Sequence, residues 1–96
     1  MHLFQDPLLD TQPVAMLDLH GFTKTEAIAA VNNFIATWRR RAGTRVVHII
    51  TGKGRGSGGR SALKPTVRRM LNEELGDAVK EWSRDLDDGG YLVLLR

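Results

Sequence analysis

The sequence contains no cysteine. That single absence excludes a disulfide framework, a cysteine-ligated zinc site and thiol catalysis, and it accords with a reducing, cytoplasmic setting. No apolar run approaches the length needed to span a bilayer, and the first residues lack the basic-then-apolar pattern of a secretory signal, so neither a membrane span nor a signal peptide is expected. Acids are missing from one long interval. Between Glu26 and Glu73 there is no Asp or Glu, while the same interval holds Arg39, Arg40, Arg41, Arg45, Lys53, Arg55, Arg60, Lys64, Arg68 and Arg69. Apart from Glu26, the acids are gathered at residues 1–18 and 73–88. A merely solvated surface mixes the signs, so the segregation favours contact with a polyanion.

Ninety-six residues, 42% of them apolar, suffice for one domain and not for a second core. Such a domain buries roughly two-thirds of its unfolded surface and can fold without staples. The net charge of +3 and pI of about 9.8 suit an acidic partner without naming one.

Residues 1–16, with Pro7, Pro13 and scattered Leu3, Phe4, Leu8 and Leu9, follow neither a helical nor an alternating period. They read as an extended arm laid across the core or used in an oligomer contact. The run Leu17-Asp18-Leu19-His20-Gly21 reads as a strand in which Asp18 and His20 share one face and the leucines the other, ended by a glycine turn. Thr23-Lys24-Thr25-Glu26 is a capping box, and Ala27, Ile28, Val31, Phe34, Ile35 and Trp38 form one helical stripe after it. Arg39 to Arg41 fall in the last turn of that helix, with Gly43 expected as its left-handed cap; the arginines serve helix termination, nucleic-acid contact, or both.

The β-branched run at 45–51 predicts an inner strand, parallel to the first because a helix intervenes. Both strands then end at one edge of the sheet, the edge where open α/β sheets bind ligands. Asp18 and His20 end one strand; Thr51, Gly52, Lys53 and Gly54 end the other. His48, inside the second strand, reads as a packed or surface histidine. The loop that follows interleaves Gly52, Gly54, Gly56, Gly58 and Gly59 with Lys53, Arg55 and Arg60, so bare backbone can approach a phosphate while cations supply countercharge. Two nucleotide motifs fail here: Gly54-Arg55-Gly56-Ser57-Gly58-Gly59 fits G-x-G-x-x-G but follows the second strand, and the loop ends Gly59-Arg60-Ser61, without the Lys-Ser/Thr of a P-loop.

A second helix is predicted from near Pro65 to Gly76, with Lys64, Arg68 and Arg69 in its early turns, where cations oppose the dipole. Residues 78–84 and 91–95 read as an antiparallel pair joined by a turn at Asp87-Asp88-Gly89-Gly90. Trp82 and Tyr91 fit core or cross-strand packing better than base stacking. The order βαβαββ predicts an α/β two-layer sandwich, a mixed four-stranded sheet with two helices.

With LDLHG and ITGKG at one edge, Glu26-Ala27 after the first turn, Leu63-Lys64-Pro65 opening the second helix and a glycine before the last strand, the chain resembles the Smr (small MutS-related) domain from residue 17 to 96. The resemblance implies a nucleic-acid-binding domain of the two-layer α/β type, cutting or nicking DNA or RNA in some members and only binding in others. At the position of Thr51 many members carry histidine, so no second histidine is implied here.

The expectation is therefore an N-terminal arm at 1–16 and an Smr-like domain at 17–96, standing alone or as part of a larger protein, that binds DNA or RNA and cleaves phosphodiesters. Histidine's titration near neutrality makes His20 the candidate acid or base. Asp18 orients it or holds a single Mg²⁺, one carboxylate being too few for a two-metal site. Thr51, Gly52, Lys53, Gly54, Arg55, Arg60, Lys64 and Arg68 are the candidate nucleic-acid contacts. The competing readings are a non-catalytic binding module, with Asp18 and His20 a hydrogen-bonded pair that fixes the turn, and a small enzyme acting on a phosphorylated metabolite.

Overall fold

The computed structural model describes residues 12–41, 43, 45–52, 63–85 and 89–96. Along them run β1 (Ala15–Asp18), α1 (Lys24–Arg39), β2 (Val46–Ile50), α2 (Leu63–Asn72), β3 (Val79–Arg84) and β4 (Gly90–Leu95). The strands form one sheet in the order β1-β2-β4-β3. β1 runs parallel to β2, while β4 is antiparallel to both of its neighbours. This is the predicted two-layer α/β architecture.

Both helices lie on one face. Val47 and Ile49 of β2 and Tyr91, Val93 and Leu95 of β4 share a buried cluster with Ala27, Val31 and Ile35 of α1 and Leu63, Val67, Met70 and Leu71 of α2. The alternate residues Val46, Leu92 and Leu94 form a separate small cluster on the other face. The period of two in the strands and of 3.6 in the helices therefore decides which side chains meet. β1, at the sheet edge, alternates half-buried and exposed residues, as an edge strand covered on one face should. Deleting a large side chain from the main cluster costs about 2 to 5 kcal/mol, so this face carries the stability of the domain.

The helix ends differ from expectation in detail. α1 carries the full capping box, with Glu26 N–H donating to Thr23 Oγ1 and Thr23 N–H to Glu26 Oε1. Its C-cap is Arg40, in right-handed helical geometry; Gly43 is left-handed at φ +91° but three residues further on, where it bends the chain into β2. α2 begins two residues before Pro65, which keeps the proline in the first turn, where its missing N–H costs nothing. It stops at Asn72 and not at Gly76, unwinding into turns in which Leu75 N–H reaches back to the Met70 carbonyl, a six-to-one bond typical of helix ends.

Gly90 belongs to β4, not to the hairpin turn. A Cβ there would overlap the Ile49 carbonyl oxygen and stand 2.9 Å from Ile50 Cα. The close passage of β4 over the end of β2 requires glycine.

Candidate nucleic-acid interface

β1 stops at Asp18, so the strand alternation does not extend to His20 as a strand residue. Leu19 still pairs with β2 through its N–H to the Ile50 carbonyl, at 2.8 Å, and is fully buried. The chain then turns: Phe22 N–H donates to the Leu19 carbonyl at 2.9 Å, and Gly21, third in the turn, has φ +83°. Such a turn needs a left-handed residue at that position, which glycine supplies. Asp18 Oδ1 accepts the His20 backbone N–H at 2.9 Å, an Asx-type bond that braces the turn from outside. Asp18 and His20 are both exposed, on either side of buried Leu19. Among the described residues the imidazole of His20 has no hydrogen-bond partner.

β2 ends on a second braced turn. Thr51 is 2% exposed, and its hydroxyl donates inward to the carbonyls of Gly52 (3.1 Å) and Gly89 (3.3 Å). The backbone N–H groups of Thr51 and Gly52 also donate to Gly89 O, at 2.8 and 2.9 Å. One carbonyl thus gathers three donors and fixes Gly52 at φ +91°, the point from which the cationic loop departs. Thr51 shapes the turn from within. Lys53, Gly54, Arg55 and Arg60 lie outside the described residues.

α2 starts at the same edge. Lys64 is half-buried, and its carbonyl accepts the Tyr91 hydroxyl at 3.2 Å, while Arg68 is exposed one turn later. Tyr91 and Trp82 pack edge to face with centroids 5.3 Å apart, and the indole N–H donates to Asn72 Oδ1. Tyr91 is 1% exposed, so it serves the core and offers no stacking platform.

The parallel register, with Asp18 opposite Ile50, sets the His20 turn beside the Gly52 turn. The start of β4 and the N-termini of both helices complete this edge. The two helix ends differ electrostatically. At α1 the capping box and Glu26 already satisfy the amides and place a negative charge there, whereas the first turn of α2 has no acid. The start of α2 is thus the less acidic of the two.

The acid-free interval does not form one face. α1 spans 16 residues, roughly 24 Å, so Arg39, Arg40 and Arg41 lie at the opposite end of the sheet from His20. Arg45 is buried, and its guanidinium donates to the carbonyls of Gly43, Arg39 and Arg96. Arg39 caps the Asp77 carbonyl, and Arg41 stacks on Trp38 at 4.5 Å. Part of the cationic interval is structural.

One pair escaped sequence reading. His48 Nε2 lies 2.8 Å from Asp85 Oδ2, and Asp85 Oδ1 accepts Gly89 N–H at 2.9 Å. Burial pushes the Asp85 carboxyl up, but the His48 hydrogen bond, the Gly89 amide, the His48 charge and the backbone bond at Gly90 together hold it below the ordinary aspartate value. The partners are 37 residues apart and meet only because β4 runs between their strands. Alternation alone places His48 on the helix-free face; nothing local in the sequence announces Asp85.

Among the described residues no group of three or more His, Asp or Glu is placed to hold a metal ion, and no helix is long and apolar enough to cross a membrane. No solved structure matches the chain. An uncharacterized protein of Treponema pallidum (strain Nichols) is 47% identical over 59 residues, covering 62% of this chain and 29% of that relative. The chain thus spans less than a third of the relative it matches. The family model of the Smr domain matches residues 17–96, the stretch that contains both braced turns and the whole sheet from Leu17 onward, and the chain belongs to the Smr domain family.

Proposed function

We propose that this domain binds DNA or RNA along the edge where β1 and β2 end, and that it cleaves the phosphodiester held there. The observation that carries the reading is the convergence at one edge of exposed His20 on a hydrogen-bonded turn, the glycine turn after which the sequence enters the cationic loop, and a helix start that bears Lys64 and no acid. Cleavage needs an oxygen nucleophile, charge neutralisation on the non-bridging oxygens and a proton for the leaving oxygen. His20 exchanges protons with the attacking or leaving oxygen: as the new P–O bond forms and the old one breaks, the imidazole takes one proton and its conjugate acid returns one. Lys53, Arg55 and the loop amides offset the charge that builds on phosphorus oxygens. Asp18 spends Oδ1 on the His20 amide and so positions the turn that presents the imidazole. A Mg²⁺ ion would find a single carboxylate here, Asp18, and would need the substrate phosphates to complete its shell.

A second reading has its own support. The Asp18 bond to the His20 backbone is what a turn-fixing residue makes, and it suits a module that binds without cutting. The test is incubation of the wild type, Asp18→Asn and His20→Gln with labelled single- and double-stranded DNA and RNA, with Mg²⁺ or with chelator. Under the nuclease reading His20→Gln loses about 10²-fold or more of cleavage while binding changes by less than about tenfold and the melting temperature holds. A wild type that cuts none of the four substrates, with an Asp18→Asn variant that melts several degrees lower, leaves the binding module.

A further inference from the structure

The His48–Asp85 pair lies off the proposed interface, on the helix-free face of the sheet, yet it is wired to the glycine turn. We propose that this pair is a positioning device for that turn, so that the protonation of His48 is felt at the start of the cationic loop. The path is continuous. His48 Nε2 meets Asp85 Oδ2 at 2.8 Å; Asp85 Oδ1 accepts Gly89 N–H at 2.9 Å and Asp85 N–H donates to Gly90 O at 3.1 Å. The other side of Gly89, its carbonyl, takes Thr51 N–H, Gly52 N–H and the Thr51 hydroxyl. The residues along this path are buried or half-buried, where a missing partner is costly.

The arrangement has a mechanical sense. Asp85 grips both Gly89 and Gly90, and the Gly89 carbonyl, so placed, faces the end of β2. Gly52 stands at φ +91° with open space where a Cβ would be, so no packing on that side holds it. Among the described residues only its amide bond to Gly89 and the Thr51 hydroxyl fix it. When His48 takes a proton, its bond to the carboxylate becomes an ion pair and draws electron density toward Oδ2. The Asp85 side chain is then held more firmly in place while the acceptor it offers Gly89 N–H changes in strength, and the change is passed to the turn at Thr51 and Gly52.

The charged groups around His48 are few. On the same face of the described structure β3 offers Glu81, opposite Leu94, and at its bulge Lys80, which lines a groove with Leu94; Asp85 follows the end of β3; β1 offers Asp18, opposite Ile50 and one residue pair beyond His48 on that face; β4 offers Leu92 and Leu94. Among these groups Asp85 alone is bonded to the ring.

The test is an amide NMR titration of the chain from about pH 5 to 8, the span in which histidine changes charge, joined to binding of a labelled oligonucleotide. The amides of Gly89, Thr51 and Gly52 should shift with the same midpoint as the His48 ring, and should do so equally in a His20→Gln background. In His48→Gln, whose side-chain N–H still reaches the carboxylate, those shifts vanish while affinity at neutral pH is kept. Asp85→Ala should lose about threefold to tenfold in affinity, the size of one hydrogen bond; should it fail to fold, Asp85→Asn, which keeps an acceptor for Gly89, takes its place in the NMR arm and shows no transmitted shift. A His48 ring that titrates while all three amides stay flat overturns the inference. It rests on the phosphate reading of the edge for its binding arm only: amides that follow His48 in a chain that binds none of the oligonucleotides uphold the coupling and sink that reading instead.

Discussion

Gly90 and Gly21 are both glycines at this edge, but the physics that requires each is different. At Gly90 a methyl group strikes backbone, the Ile49 carbonyl, which no rotamer change can move aside. Gly90→Ala should therefore part the ends of β2 and β4 and cost about 2 kcal/mol or more in chemical denaturation. At Gly21 there is open space, and the cost is only the left-handed backbone, about 1 to 2 kcal/mol. Asp85 gives a pH test. Its folded pKa is below the ordinary value of 3.8, so as acid is added the unfolded chain binds this proton first. Its stabilisation is fully present above about pH 4 and drains away as the pH falls through the folded value. The melting temperature of Asp85→Asn should accordingly sit below the wild type at neutral pH, and the gap should close as the pH falls through the folded value; a gap that persists unchanged in acid would mean that the carboxylate charge contributes nothing.

α2 opens with Lys64 against its own dipole and has no acid in its first turn; the sequence alone suggests early turns for Arg68 and Arg69, but a helix that ends at Asn72 leaves Arg68 near its middle and Arg69 in its last turn, where a cation complements the dipole. Arg68 is exposed near the middle of the helix, so Arg68→Glu meets no packing and little of the dipole. Thermal stability should hold while nucleic-acid affinity falls; an unchanged affinity would put this helix outside the interface. The elements themselves were legible because each announces its period: the α1 stripe from Ala27 to Trp38, the β-branched run of β2, the capping box at Thr23. Their ends were less so. Asp18 closes β1 with its own side chain, α2 extends to Leu63 and stops at Asn72, and Gly90 is consumed by a strand because a neighbouring backbone passes over it. These boundaries are set by tertiary contacts that local propensity does not encode. The same holds for Arg45, which counted as one cation among ten in the sequence and is, in the fold, a buried clasp between the end of α1 and the carbonyl of Arg96.

For the molecule as a whole, the topology divides the acid-free interval between two ends of one sheet. Lys64 belongs to the end with Asp18, His20 and the Gly52 turn, after which the sequence continues into Lys53 and Arg55, and Arg39, Arg40 and Arg41 belong to the other, a helix length away. The candidate site was therefore readable from sequence as an edge, since parallel strands joined by a helix must finish together, whereas charge composition alone overstated its extent. This difference makes the central claim measurable. Affinity of the intact chain for a labelled oligonucleotide, followed against salt concentration, should show a log–log slope that falls by up to about two units in the Lys53→Ala, Arg55→Ala double variant, roughly one for each phosphate left without its cation. The Arg40→Ala, Arg41→Ala double variant should keep the wild-type slope. The opposite pattern, a slope unmoved by the loop substitutions and reduced by those at the end of α1, would contradict the account and move the interface to the far end of the sheet.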